Sequence, residues 1–388
     1  MNFLKIFMTA AVLLAMLLYP ETTMQAAGRA LNSWWNNVLP SLLPFFICAE
    51  VFSRLGLLRA LSIWLTPVMQ PLFRLPGAAA LGLTLGFFSG SPTGAAIAGD
   101  LRRRGLISKN EGDRLLAFTN NAGPLYIMLT VSSTLNAPEI GLWLALAHYP
   151  INLLCGLMLR FLAPRHKAAI NKTSVTELLT QGWHSITQTP AQPLGVLLKE
   201  SSLKALQNIG MIGAFMLIFS LLLHTFRQSG LLKLIQACLM PLCTLLGLPE
   251  SVLPALSEGL FEMTLGIVTL GESTAPAADK LLTAAVILSW GGLSVHAQIS
   301  GMIAGTDLSL RYYLPCRMLH IFAAPLLLIL LEKYITPALP AFTANTPVIW
   351  LLSPGTLLLS WAICMVLLLT VSLSIAALGG RKPISAKR

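Results

Sequence analysis

The chain of 388 residues is 55% hydrophobic and only 11% charged, where globular proteins carry roughly 25% charged residues. A formal net charge of +11 would point to nucleic acid in a soluble protein, but here the Lys and Arg residues flank apolar stretches, where they orient spans and meet anionic headgroups. Soluble classes and nucleic-acid partners are thereby excluded, and the chain reads as an all-α polytopic membrane protein with about eight transmembrane helices plus two re-entrant hairpins in an inverted repeat.

Residues 1–37 are expected to form an N-terminal transmembrane helix and loop. Phe3–Tyr19 reads as a retained first helix, against the alternative of a secretory signal cleaved near Ala26–Ala27. Pro20–Asn37 then reads as a short polar loop whose two Trp residues suit an interface. Val38–Ser53 is a second span. Arg54–Arg74, with three Arg, Pro67 and Pro71, suits a helix lying along the membrane surface.

Leu81–Tyr126 is apolar enough to enter a membrane but is broken twice. The first break is Ser89-Gly90-Ser91-Pro92-Thr93-Gly94, and its flanking arms are too short to cross ~30 Å of hydrocarbon, which takes roughly 20 helical residues. A re-entrant hairpin with its tip near mid-membrane follows. The second break, Asn120-Asn121-Ala122-Gly123-Pro124, interrupts what would otherwise be one spanning helix. Irregular backbone at that depth survives where protein or a water-filled cavity satisfies its polar groups. A hairpin tip beside an unwound helix is how transporters build a mid-membrane substrate site. The plainer alternative is a pair of Gly/Pro kinks with no ligand. Arg102, Arg103, Arg104, Lys109 and Arg114 form the densest positive loop, placing both hairpin ends in the cytoplasm. Gly141–Leu162 is the returning span of a first repeat over residues 38–163, and residues 164–204 form a cytoplasmic polar linker with little periodicity.

A second repeat is expected over residues 205–335. Phe52–Arg59 is echoed by Phe226–Lys233, Pro67 by Pro241, and Leu75-Pro76 by Leu248-Pro249. An interrupted apolar stretch, Leu253–Leu270, gives a second hairpin, and Ser289-Trp290-Gly291-Gly292 stands where Asn120–Gly123 stood. His148 and His320 occupy matching places in the following spans. Gly271–Lys280 carries one Lys and two acids, so it is expected outside, opposite its positive counterpart. Arg311 and Arg317 mark a cytoplasmic loop. Residues 336–388 supply a C-terminal transmembrane helix and basic tail, with both termini cytoplasmic.

The segments GFFSGSPTGAAIAGDLRRRG, EGDRLLAFTNNAGPLYI and LAHYPINLL resemble the nucleoside-recognition (Gate) domain family, and within it the branch of sporulation integral membrane proteins. The resemblance covers roughly residues 40–335 and extends to the core of concentrative nucleoside transporters, which also pair hairpins with unwound helices. It implies a secondary transporter of dipicolinic acid in the outer forespore membrane, moving the substrate towards the spore. One position departs from the branch, which has an aromatic residue between the counterparts of Gly90 and Pro92, where this chain has Ser91.

Dipicolinate is a planar dianion, and carrying it across hydrocarbon requires compensation of its charge. Helix starts at Pro92-Thr93 and Gly123-Pro124 offer free N–H groups. Ser89, Ser91, Thr93, Asn120, Asn121 and Ser289 are candidate neutral donors, and Trp290 or Tyr126 a cover for the ring. Gly90 and Gly94 allow close backbone approach at the first tip, as Gly291 and Gly292 do at the second unwound helix. For each of these, helix packing or capping is the competing role. Glu258 and Glu262, one helical turn apart and taken to share a face, are candidates for ion or proton coupling, unless the hairpin sits shallow and both are solvated. His296 is either a proton carrier or a packed histidine bonded to a carbonyl.

The six cysteines, at 48, 155, 238, 243, 316 and 364, show no paired metal-ligand spacing and read as buried free thiols. No metal, cofactor or enzymatic activity is expected, since phosphate loop, Gly-x-Ser-x-Gly elbow and His-Glu-x-x-His are all absent. The partners expected are a small-molecule anion and the lipid bilayer, with a homo-oligomer left open. Two other functions stay open: a carrier of nucleosides or other small anions, and a membrane enzyme acting on lipid-linked substrates.

Overall fold

The computed structural model describes residues 2–163, 174–190 and 192–335, and every regular element among them is helical. The expected C-terminal span and basic tail (336–388) and residues 164–173 of the linker lie outside the described residues. Four helices are long and apolar enough to cross a membrane: Ile140–Leu162, Leu194–Gln228, Ala277–Met302 and Tyr313–Lys333. The number rises to six if two bent pairs each count as one span, so the expected eight is not reached among the described residues.

Helix α1 covers Asn2–Leu18, α2 Pro20–Ser33 and α3 Leu39–Arg54, so the expected polar loop after the first helix is itself mostly helical. From there the chain builds one series of elements twice. Gly56, at φ +81°, starts α4 (Leu57–Val68). Gly230, at φ +74°, starts α12 (Leu231–Leu245) after the long α11 (Leu194–Gln228). Glycine stands at both corners because it takes a positive φ at no steric cost.

Pro67 and Pro241 lie inside these helices, and extended Pro76 and Pro249 each precede a single 3₁₀ turn. The first hairpin consists of α5 (Ala80–Ser89) and α6 (Thr93–Arg103), the second of α13 (Leu253–Phe261) and α14 (Met263–Glu272). The first broken helix is α7 (Lys109–Thr119), resumed through the wide turns Tyr126–Val131 into α8 (Ser132–Thr134). The second is α15 (Ala277–Trp290) with α16 (Gly292–Met302). Helices α9 (Pro138–Leu159) and α17 (Tyr313–Ile335) return the chain.

Contacts at the loops fix how the hairpins face. The open end of the first lies against the loop before α17: Arg102 donates to Asp307 through Nε (2.8 Å) and Nη2 (2.9 Å), and Asp113 accepts from Ser309 N–H at 2.7 Å. The Arg102 guanidinium holds the Asp307 carboxyl below the usual carboxylate range. The open end of the second meets Thr134 instead; a Cβ on Gly271 would lie 2.5 Å from Thr134 O. Lys109 and Thr134 are the two ends of one broken helix, so the hairpins open in opposite directions.

Two cationic expectations change. Arg114 is buried rather than exposed in a loop, and donates to Phe73 O (2.8 Å), Arg74 O (2.9 Å) and Asn110 Oδ1 (2.9 Å), tying off the carbonyls where α4 unwinds. Arg317 lies within α17 and is buried in the centre of the protein. The described part of the linker is also more regular than its polarity suggests. Helix α10 (Val175–Thr187) starts at a capping box formed by Ser174 and Glu177, and packs on α4 with Gly182 against Trp64.

Candidate functional site

Both hairpin tips press against a broken helix. At the first, Gly90 is at φ +76°, and a Cβ there would come within 2.6 Å of Gly123 N. Ser91 N–H donates to Asn121 O at 2.8 Å. At the second, Gly292 is at φ +80°, with an added Cβ 2.9 Å from Met263 N. Close approach of two irregular segments requires glycine at these points.

Between the tips lies a cavity of about 60 Å³. Of the residues singled out by sequence, Ser89, Ser91, Asn120, Asn121, Gly123, Gly291 and Glu262 line it, together with Tyr126. Gly90, Pro92, Thr93, Gly94, Pro124, Ser289, Trp290, Gly292, Glu258 and His296 stand behind the wall or elsewhere. A Cβ on Gly94 would sit 2.4 Å from Thr119 O, which shows that this glycine serves the packing of α6 on α7. Trp290 Nε1 donates to Leu260 O at 2.8 Å, and His296 Nε2 bonds Trp290 O at 3.0 Å, the packed arrangement weighed above.

The asparagine pair divides its work. Asn120 accepts from Ala95 N–H at 2.8 Å and donates to Leu116 O at 2.9 Å, so its amide caps the start of α6 and the end of α7. That occupies an N–H of α6 that the sequence had offered to substrate. Asn121 is 2% exposed, yet neither its Nδ2 nor its Oδ1 has a partner among the described residues. A buried unpaired amide costs about 1–3 kcal/mol, so its presence at a cavity wall calls for a ligand or water.

Glu258 and Glu262 do not share a helix face. Helix α13 stops at Phe261, and Glu262 takes an extended conformation (φ −140°, ψ 117°) as the N-cap of α14, its Oε2 accepting from Leu265 N–H at 2.7 Å. Its carboxylate occupies the α14 helix start and lines the cavity. Glu258 faces away, taking an ion pair from Arg227 Nη2 and a hydrogen bond from Thr269 Oγ1 at 2.6 Å.

Arg317 is the residue that sequence reasoning missed. It is 1% exposed, lines the cavity, and donates through Nη2 to Asn152 Oδ1 and, at 3.4 Å, to Ala117 O. Its Nε has no partner, and no carboxylate pairs with it among the described residues. Tyr313 supplies a ring face 5.4 Å from the guanidinium carbon. The signal was its place in the chain: six residues past Arg311 and three before His320, inside an apolar run rather than before it. The rings of His320 and His148 meet at a tilt of 32° with centroids 4.5 Å apart, so the matched residues of the two repeats touch. His148 Nε2 in turn accepts from Ala122 N–H in the first break at 3.3 Å.

Among the described residues, the assembled cavity offers a cation with no carboxylate partner, Arg317, one carboxylate, Glu262, and the side-chain amides of Asn121 and Gln298, enclosed by Phe88, Tyr126 and Tyr313. Such a lining suits a small polar or anionic ligand.

Comparison with known proteins gives the family. Residues 35–143 match the Gate family, described as nucleoside recognition. Over 347 residues the chain is 33% identical to the sporulation integral membrane protein YlbJ of Bacillus subtilis (strain 168), covering 87% of this chain and 82% of that one. No solved structure matches. Identity at that level along most of both sequences establishes that the chain belongs to the YlbJ family of sporulation integral membrane proteins, with its Gate region in the first repeat.

Proposed function

We propose that this protein is a secondary transporter that carries dipicolinic acid across the outer forespore membrane during sporulation, by alternating access around the central cavity. The observation that carries the reading is Arg317, a buried guanidinium with no carboxylate partner among the described residues, at the meeting point of two hairpins. An uncompensated buried cation is costly, and a carboxylate arriving from solution relieves that cost. Asn121 donates to the same anion, and Tyr126 and Tyr313 flank the pyridine ring. Protonation of Glu262 leaves Arg317 as the sole charge in the cavity, so the dianion meets a positive field. Hairpins opening in opposite directions supply a gate to each side.

The test is uptake into proteoliposomes holding the purified full chain, with labelled dipicolinate and unlabelled competitors. The expected result is saturable uptake blocked by excess dipicolinate and untouched by uridine. Competition by uridine alone would replace the anion with a nucleoside, and chemical conversion of the substrate would make the protein an enzyme. In the cell, deletion of the gene is expected to deplete dipicolinate from spores.

A further inference from the structure

A second cavity, of about 290 Å³ against about 60 Å³ for the central one, lies behind the second hairpin, between α2, the C-terminal part of α11 and α14. Its wall includes Arg29, Ser33, His224, Arg227, Glu258 and Thr269, with exposed Glu272 at the rim. Arg29 and Ser33 lie ahead of residue 35, where the Gate match begins. Glu258 is buried and held by Arg227 and Thr269, an arrangement that fastens the second hairpin to α11. Only Nη2 of Arg227 is committed to Glu258, and the Arg227 side chain is 48% exposed, leaving the rest of its donor fork open to the cavity. His224 bonds Thr22 Oγ1 at 3.1 Å, and Arg29 has no ion pair among the described residues. Ser33 Oγ is buried at this wall without a partner among the described residues, which marks the lining as incomplete without a ligand or water.

Within the anion-carrier reading given above, on which this step rests, we propose that the cavity is an anion-binding vestibule, where an arriving carboxylate or phosphate group takes Arg227 from Glu258 and so unlatches the second hairpin. The chemistry follows from competition. Glu258 is a resident carboxylate in the place an external one would occupy, and Arg29 lines the same cavity to steer anions in. A dicarboxylate and a phospholipid headgroup share that chemistry.

The experiment measures dipicolinate binding to the purified full chain in uncharged detergent, and phosphatidylglycerol binding in phosphatidylcholine nanodiscs. Both are measured in an Arg317→Gln background, which removes the central site. Glu258→Gln frees Arg227 and is expected to tighten anion binding about threefold or more, while Arg227→Gln weakens it about tenfold. The arm in which this order is seen identifies the source of the anion. A salt bridge with a purely structural role predicts loss in both variants. Shifts of the same sign, or no shift in either arm, would overturn the vestibule. If the order holds while the chain with Arg317 intact takes up no dipicolinate, the transport reading fails and the vestibule stands.

Discussion

At the first tip, Gly90 packs on Gly123, and the closure is made by Ser91 N–H to Asn121 O and Ala95 N–H to Asn120 Oδ1. At the second, Gly292 packs on Met263. The join there is a side-chain bond from Trp290 to Leu260 O, and Glu262 turns its carboxylate onto its own helix start. The first half thus contributes a neutral amide to the cavity, and the second contributes both charges, Glu262 and Arg317. By the register that pairs His148 with His320, the counterpart of Arg317 is Ala145. A repeated frame has been kept while its chemistry has been divided between the copies, one half shaping the site and the other charging it.

The strongest way to break that comparison is to remove the charge. Arg317→Gln is expected to lower dipicolinate uptake roughly 10- to 150-fold, as loss of a charge-assisted bond worth about 1.5–3 kcal/mol, with the protein still inserted. Arg317→Lys should restore only part of this, because an ammonium cannot reproduce the planar fork. Uptake at the level of the unaltered chain in Arg317→Gln would show that the second half does not charge the site.

The tips themselves come next. Gly90→Ala and Gly292→Ala each force a side chain into a positive φ and into backbone, at a cost of about 1–3 kcal/mol read by thermal unfolding in detergent. Gly90→Ala should cost the more, its contact being shorter. Tolerance of alanine at one tip alone would end the structural equivalence of the two halves.

Glu262→Gln sharpens the division of labour. If protonation of Glu262 precedes entry of the anion, uptake in the unaltered chain should rise towards acid pH. The variant should lose that dependence while keeping the rate of the protonated form. A pH profile unchanged by the substitution would leave Glu262 as a helix cap alone.

A smaller effect separates the asparagines. Asn120→Ala removes a cap and is expected to lower stability by about 1 kcal/mol. Asn121→Ala should not lower the melting temperature, because its amide bonds nothing among the described residues. Equal destabilisation by both would mean that Asn121 also serves the fold.

Much of the frame could be read beforehand because helix breaks announce themselves locally. Gly and Pro at Ser89–Gly94, at Asn120–Pro124 and at Gly291-Gly292 are where helices stop, and the Gly56/Gly230 and Pro76/Pro249 pairs carried the repeat. What escaped was set by tertiary contact. Arg317 and Arg114 resemble orientation signals by position, and only packing shows that their donors end on buried carbonyls and an asparagine. Glu258 and Glu262 have one-turn spacing, but the helix ends between them, at Phe261. The α10 cap was legible as Ser174-x-x-Glu177 and was hidden by the polarity around it. Asn120 and Asn121 are chemically identical neighbours, and no pattern in sequence tells which one caps and which one faces the cavity.

The claim that the cavity holds an anion is tested most directly at Asn121, by dipicolinate uptake into proteoliposomes at matched protein content. Aspartate keeps the size of the side chain but replaces a donor with a negative charge beside Arg317, whereas alanine only removes the bond. The expected order of uptake is unaltered chain, then Asn121→Ala, then Asn121→Asp, with the aspartate form well below the alanine form. Equal uptake by the alanine and aspartate forms would contradict it.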